Sequence, residues 1–220
     1  MTTMKNIVVE VWKILDKNPS IRRDLSLGLI NTRALAKYII KEYKIKTTLD
    51  AVISAIRRYE LGRQDDVFTI AHKLICQTIN LSTRNGLAEL SLIKDNEVQQ
   101  LLPEIFEIVQ FVRGETLRII QATESIRLLI DEKNLDKIKE IFPKNKIIKI
   151  DREIAEINMR MHPDMRTTYG ILAVIANELA INGINIIEVM SCFPEMLIFV
   201  EEKNILKAYQ VLHQLCYPTI

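Results

Sequence analysis

The stretch TTYGILAVIANELAINGINIIEVMSCFPEMLIFVEEKNILKAYQVL (residues 167–212) determines how the rest of the chain is interpreted. It begins with apolar residues that follow a helical period, and this part ends at Asn182-Gly183, a pair typical of a helix C-terminus. Two extended apolar segments come next, and a second amphipathic helix closes the stretch. Because an extended segment at residues 153–161 precedes it, the predicted order is strand, helix, strand, strand, helix.

The same order of elements occurs a second time, nearer the N-terminus. The segment SIRLLIDEKNLDKIKEIF (residues 125–142) matches EMLIFVEEKNILKAYQVL (residues 195–212) in its pattern. Within these segments EKNL begins at residue 132 and EKNI begins at residue 202, so the motifs are 70 residues apart. A module of roughly 70 residues therefore occurs twice.

The first copy contains two further signals. Asp95 can cap a helix, and Pro103 inside that helix should kink it, because proline lacks a backbone donor and clashes with the preceding turn. Upstream, Asn85-Gly86 lies between two extended stretches and predicts a β-hairpin, since a type I′ turn needs positive φ at both central residues. We therefore predict a first module at residues 67–149 that opens with a hairpin, and a second module at residues 150–220.

The second copy resembles the ACT domain, a ferredoxin-like module that senses amino acids in aspartate kinases and other regulated biosynthetic proteins. The resemblance rests on Gly170 near the start of a helix, the NGINI turn at residues 182–186 and the FVEE strand end at residues 199–202. The first copy lacks the glycine and has FVRGE at residues 111–115 in place of NGINI. The resemblance implies an α+β fold with two βαββαβ modules, whose sheets pair with each other or with those of a second chain in a homodimer.

A ligand site is expected at the start of the helix that follows Gly170. Glycine lets a ligand approach the backbone closely, and the free amide groups of a helix start suit an α-carboxylate. The resemblance places the effector between this loop and the adjoining strand. The candidate ligand-binding residues are Met165, Thr167, Thr168, Tyr169, Gly170, Ile171, Leu172, Ile186, Ile187 and Glu188. The alternative is that Gly170 only forms a tight turn between strand and helix.

One departure from the kinases affects the partner of the effector's amino group. Aspartate kinases often have an acidic residue at the place of Ile187. The amino-group partner is therefore missing here, has moved to Glu188, or is irrelevant because the ligand differs. The charged residues Arg160, His162, Asp164 and Arg166 surround the loop and are interpreted as rim charges, since no nucleophile accompanies them.

The first 66 residues are basic, with 13 Lys and Arg against 8 Asp and Glu, whereas residues 67–220 hold 17 against 20. Their apolar residues predict three or four short amphipathic helices, two of which can be capped by Asn31 or Thr32 and by Thr47 or Thr48. The segment at residues 29–59 resembles the helix-turn-helix part of small archaeal winged-helix regulators. We therefore predict a helical, helix-turn-helix-like domain at residues 1–66.

Seven basic residues of this domain are candidates for binding nucleic-acid phosphate: Arg33, Lys37, Lys41, Lys44, Lys46, Arg57 and Arg58. In a helix-turn-helix protein, the N-terminal residues of the second helix contact base edges. Here these residues are Thr47, Thr48, Leu49 and Asp50, a segment poor in the Arg, Asn and Gln that read base edges. Phosphate contacts give affinity without sequence choice. The alternative is a solvated basic face that binds nothing.

No catalytic or metal-binding pattern is found in the sequence. His72, His162 and His213 lack metal-ligand spacing, and there is no Walker loop or G-x-S-x-G motif. Three cysteines without a CxxC motif argue against a disulfide framework or a zinc site. We expect a protein that is not an enzyme, has no cofactor or metal, and is cytoplasmic, because it has no apolar run of membrane-spanning length and no signal peptide.

Two functional hypotheses follow from these patterns. In the first, the chain is a non-catalytic regulator that senses an amino acid or a similar small molecule and binds DNA through its helical domain. In the second, it is a regulatory subunit that docks on an amino-acid biosynthetic enzyme such as an aspartate kinase.

Overall fold

The chain separates into two compact units, Met1–Asp66 and Val67–Ile220. The computed structural model describes residues 7–26, 28–59 and 67–218. Among these residues, no helix has the length and apolar character that crossing a membrane requires.

The first unit is a bundle of short helices. These are α1 (Ile7–Asp16), α2 (Pro19–Ser26), α3 (Thr32–Glu42) and α4 (Leu49–Arg57). Their apolar faces meet in one core, in which Val11, Leu15, Ile39, Val52 and Ala55 are fully buried.

Both predicted helix caps are present in the first unit. The side chain of Asn31 accepts hydrogen bonds from the backbone amides of Arg33 and Ala34, and Thr48 accepts one from Ala51. The predicted helices are confirmed. Residues 7–26 and 28–59 contain no strand, so the part of the unit that the structure describes has no β-wing.

The second unit is built on one antiparallel sheet. Its strands are β1 (Asn80–Ile93), β2 (Leu117–Gln121), β3 (Ser125–Asp131), β4 (Ile147–Arg160), β5 (Glu188–Cys192) and β6 (Glu195–Glu201). They lie in the order β2-β3-β1-β4-β6-β5. Although three strands separate β3 from β5, Arg127 on β3 donates a hydrogen bond of 2.7 Å to Glu188 on β5. Since neighbouring strands are about 4.8 Å apart, this bond requires the sheet to curl.

Helices cover one face of this sheet. They are α5 (Val67–Ile75), α6 (Asn96–Leu101), α7 (Ile105–Ile108), α8 (Leu135–Ile141), α9 (Ile171–Ile181) and α10 (Ile205–Cys216). Side chains from α5, α9 and α10 form one buried cluster with the sheet, and those from α6 to α8 form another. The opposite face has a third cluster, which joins both halves of the sheet through Leu87, Leu129, Ile154, Leu197 and Phe199.

The predicted kink at Pro103 is confirmed. A 3-10 turn at Leu102–Glu104 separates α6 from α7. Asp95 is the N-cap of α6, and its carboxylate accepts a hydrogen bond from the Val98 amide.

The predicted hairpin at Asn85-Gly86 is wrong. Both residues lie inside β1, a continuous strand of 14 residues. Gly86 has a φ of +67°, whereas Asn85 has no positive φ, so the two positive φ angles of a type I′ turn are not met. The pairing with β4 shifts its register between Arg84 and Leu87, and Gly86 therefore forms a bulge rather than a turn.

The two predicted modules do not have separate sheets. β4 is a second 14-residue strand and runs through the expected boundary at residues 149 and 150, with Glu153 at a φ of +55° where the register shifts again. One half of the sheet is β2-β3-β1-β4 and the other is β1-β4-β6-β5. The second half thus takes its fourth strand from the start of β1, which precedes the first half in the sequence.

Candidate functional site

A cavity of about 620 Å³ lies where the segment after β4 reaches the start of α9. β5 and the residues around its turn into β6 close the other side. The lining residues are Met161, Met165, Arg166, Thr168, Gly170, Ile171, Leu172, Val189, Ser191, Phe193 and Met196.

The floor of the cavity is apolar. Met161, Met165, Ile171 and Met196 are buried, and all four belong to the cluster beneath α9 and α10. The mouth is more exposed and includes Leu172, Phe193 and Ser191. A ligand entering here would place an apolar part against the floor.

Within the part of the chain that the structure describes, no side chain accepts hydrogen bonds from the first amides of α9, which lie at this cavity. Gly170 precedes the helix with a φ of +87°, a left-handed conformation that glycine adopts without steric cost. No side chain caps α9. The first amides of a helix have no partner within it, and the helix dipole is positive at this end, so a negatively charged group is stabilised there.

Arg166 brings a full positive charge to the same mouth. Its guanidinium lies over the ring of Phe193, 5.6 Å from the centroid, in a cation–π contact. It makes no ion pair within the part of the chain that the structure describes, whereas Arg118 and Arg127 on the opposite face of the sheet pair with carboxylates. Thr168 also lines the cavity, and its hydroxyl donates a hydrogen bond of 2.9 Å to the carbonyl of Asp164.

Five of the ten candidate ligand-binding residues line this cavity: Met165, Thr168, Gly170, Ile171 and Leu172. Thr167 and Tyr169 do not. The hydroxyl of Thr167 lies 3.4 Å from the Asp164 carbonyl, and Tyr169 points into solvent with 81% of its surface exposed.

The three candidates near β5 are also not lining residues. Side chains alternate along a strand, so Val189 and Ser191 face the cavity while Glu188 and Met190 face the other side of the sheet. There, Ile187 packs with Met190 in the cluster that joins the halves. Ile186 packs against the cluster of the cavity floor without lining the cavity.

The strand predicted to adjoin the site does border the cavity, but Ile186, Ile187 and Glu188 lie outside its lining. The residues of β5 that face the cavity are Val189 and Ser191, one position out of phase with Glu188. The contributions of Met161, Phe193 and Met196 come from tertiary packing and have no local signal in the sequence.

The corresponding helix start in the first half of the sheet is occupied by a side chain. Asp95 caps α6, with its Oδ1 accepting the Val98 amide at 2.9 Å, and its carboxylate also bonds the ammonium group of Lys146. The bond with Lys146 and the Val98 amide lower the pKa of Asp95. The chain's own carboxylate thus holds the position that α9 leaves open.

The seven basic candidates of the first unit are all exposed. Arg33, Lys37 and Lys41 recur every four residues along one side of α3. None of the seven has an ion-pair partner among residues 7–26 and 28–59. Lys44 lies in the turn after α3 with a φ of +50°.

No known protein-family model matches the chain, and no curated protein sequence matches it. Several solved structures are similar to part of this chain. The aspartate kinase of Clostridium acetobutylicum is 17% identical with a TM-score of 0.52 over 63% of this chain, which spans 35% of that kinase.

Two further solved structures are matched over nearly their whole length. A structure of aspartokinase alpha and beta subunits is 19% identical, with a TM-score of 0.51, and the match covers 63% of this chain and 97% of that chain. The regulatory subunit of aspartate kinase from Thermus thermophilus is 16% identical, with a TM-score of 0.51, and the match covers 62% and 96%. The fold is ACT-like. The α+β architecture expected from the sequence is confirmed.

Proposed function

We propose that this protein is a non-catalytic regulator that binds an amino acid, or a related small molecule with a carboxylate, in the cavity at the start of α9. The observation that carries the proposal is the open N-terminus of α9 above an apolar floor. A ligand carboxylate would accept hydrogen bonds from the free amides, and Arg166 would add a charge-assisted contact.

The first half of the sheet supports the choice of a carboxylate. There the equivalent helix start is capped by the carboxylate of Asp95, with Lys146 as the neighbouring cation. In the second half, a free helix start and Arg166 offer the same combination of groups without a carboxylate from the chain. The carboxylate of a ligand would complete this combination of groups.

A route for signalling begins at α5. Ala71 and Ile75 of α5 lie in the same buried cluster as Met165 and Ile171, and α5 packs against both α9 and the turn at Pro163–Thr167. α5 is also the first element after Asp66, where the helical unit ends. A ligand that binds more tightly to one conformation of this turn would therefore favour the position of α5 that goes with that conformation.

For the regulatory effect of ligand binding, we propose that the chain forms a homodimer. Its helical units would contact nucleic-acid phosphates through the exposed basic residues along one side of α3, which are Arg33, Lys37 and Lys41. β2 and β5 form the edges of the sheet, and each has one paired neighbour within the described chain. A second copy that pairs with such an edge satisfies its backbone groups.

A regulatory subunit that docks on a biosynthetic enzyme is the second candidate. It is favoured by the start of α4, where Leu49 and Asp50 follow the Thr48 cap and no residue suited to reading base edges is present. In this case the exposed basic residues contact an acidic protein surface.

Two experiments test these proposals. A thermal-shift screen of the full chain against the twenty amino acids should raise the melting temperature with at least one of them, because a ligand that binds only the native state stabilises it. No shift with any of them would contradict the sensing role.

Retention of the chain on duplex DNA tests the output. We expect retention at low salt that falls steeply as salt rises, and a weaker interaction for the double variant Lys37→Gln/Lys41→Gln than for the control Lys203→Gln in the second unit. If duplex DNA does not retain the chain at low salt, the DNA-binding function is contradicted and docking on an enzyme is the function that remains.

A further inference from the structure

We infer that the cavity at the start of α9 selects a carboxylate with an apolar body and does not recognise an α-ammonium group. This inference rests on the proposed function and specifies the ligand class of that site. An apolar 2-oxo acid should therefore bind about as well as the matching amino acid.

The walls of the cavity require an apolar body. Met161, Met165 and Met196 contribute three thioether side chains, with Ile171 beside them, and all four are buried. Val189, Leu172 and Phe193 continue this surface to the mouth. Methionine side chains adapt to the shape of an apolar group, whereas an ammonium or hydroxyl on the ligand's side chain would lose its water without gaining a partner on this floor.

The charges around the cavity exclude a dedicated ammonium site. Among the lining residues that belong to the described part of the chain, Arg166 is the only charged one. The positive end of α9 lies at the same mouth. An α-ammonium group would therefore face two positive features, and it would find no carboxylate among the lining residues.

The carboxylates nearest in sequence to the lining residues have other contacts. Glu188 is bonded to Arg127 on the opposite face of the sheet, and Glu195 accepts a hydrogen bond from Asn158. Asp164 lies 3.6 Å from the imidazole of His162 and is largely exposed to solvent. None of these side chains lines the cavity.

A set of four probes tests the inference by calorimetric titration of the full chain. Leucine and 4-methyl-2-oxopentanoate share an apolar body and a carboxylate, leucinamide lacks the carboxylate, and lysine has a charged side chain. We expect the dissociation constants of the first two to agree within about fivefold, and those of leucinamide and lysine to be at least about tenfold higher.

Three results would overturn the inference: leucine more than about fivefold tighter than its 2-oxo analogue, leucinamide equal to leucine, or a preference for lysine. If none of the four binds while another amino acid shifts the melting temperature, the ligand class is wrong and the sensing role stands. If no amino acid and no probe binds, the sensing role fails as well.

Two variants sharpen the test. Arg166→Gln should weaken leucine and its 2-oxo analogue equally, by about tenfold, while Arg160→Gln, an exposed arginine outside the lining, should change neither. Ser191→Asp places a carboxylate at the mouth and should make leucine at least about tenfold tighter than the 2-oxo acid. Equal affinities in Ser191→Asp, or an unequal loss in Arg166→Gln, would contradict the proposed charge pattern.

Discussion

The two halves of the curled sheet have the same strand order but differ at the start of the helix that follows their first strand. In the first half, Asp95 caps a six-residue helix, and a proline ends it. In the second half, Gly170 precedes an eleven-residue helix that no side chain caps. A similar backbone thus leads in one case to a site closed by its own carboxylate and in the other to an open cavity.

This difference shows that the fold and the site are set by different residues. The clusters beneath the two groups of helices need only apolar side chains at the right period. The site depends on one residue that caps the helix or leaves it free, and on whether a cation nearby has a partner.

The largest effect is expected where the halves share a core. Phe199 is fully buried in the cluster that joins them, so Phe199→Ala should lower the free energy of unfolding by about 3–5 kcal/mol. Urea unfolding followed by circular dichroism should show the transition of the second unit at a lower midpoint. Leu206→Ala, at a side chain that is 82% exposed, is the control and should change little. An equal effect of the two variants would contradict a shared core.

The second prediction converts the open half into the closed one. Gly170→Asp adds a carboxylate at the start of α9 and should weaken a carboxylate ligand by about 100-fold through repulsion of like charges. Gly170→Asn is the matched control, because asparagine has the shape of aspartate and a similar tolerance of a φ of +87° but adds no charge. Calorimetric titration compares them. Similar affinities for the two variants would show that charge at the helix start does not matter.

A smaller effect is expected at Arg127, which pairs with Glu89 within the first half and with Glu188 in the second half. Arg127 bonds Glu188 at 2.7 Å and lies 3.6 Å from Glu89, whose side chain is only 5% exposed. Arg127→Ala leaves Glu89 without its cation, but because Arg127 is itself 42% exposed, water replaces part of the contact. We expect a loss of about 1–2 kcal/mol in urea unfolding. Lys137→Ala, at an exposed position of α8, is the control, and an equal loss there would contradict the role of Arg127.

The smallest effect concerns acid stability of the first half. The Gln110 amide, Lys133 and Asn134 all donate to Glu115 and lower its pKa from 4.5 to about 2. A carboxyl with a lowered pKa stabilises the folded state above its ordinary pKa, and this contribution is lost as the pH falls toward the lowered value.

The urea midpoints of the wild type and Glu115→Gln should therefore differ most above pH 5 and converge as the pH approaches 2. Glu140→Gln, at an exposed carboxyl on α8, provides the comparison for a general loss of charge. A gap between wild type and Glu115→Gln that stays constant over this range would contradict the contacts of Glu115.

Much of the fold could be predicted from the sequence, because helical and extended periods are local. The caps at Asn31, Thr48 and Asp95 and the kink at Pro103 follow from single residues and their neighbours. The hairpin at Asn85-Gly86 was wrong because a glycine with positive φ serves a bulge as well as a turn, and the choice between them depends on the long pairing of β1 with β4.

The site was only partly predictable, for a related reason. Gly170 and its neighbours are contiguous and could be identified, whereas Met161 and Met196 reach the cavity from different strands and turns. On β5, a correct prediction required knowing which of the alternating side chains face the cavity, and the pattern at residues 186–188 did not reveal this. Arg166 was visible in the sequence, but its lack of a carboxylate partner within the described chain was not.

In the proposed site, the open start of α9 holds the carboxylate of a ligand. The most direct test is a titration of the isotope-labelled chain with 4-methyl-2-oxopentanoate, followed by the backbone amide resonances in NMR spectra. We expect the amide resonances of Gly170, Ile171 and Leu172 to shift with one saturating curve, while that of Val98, whose amide donates to Asp95, does not move. Saturable shifts elsewhere in the chain with none at these three amides would contradict this site.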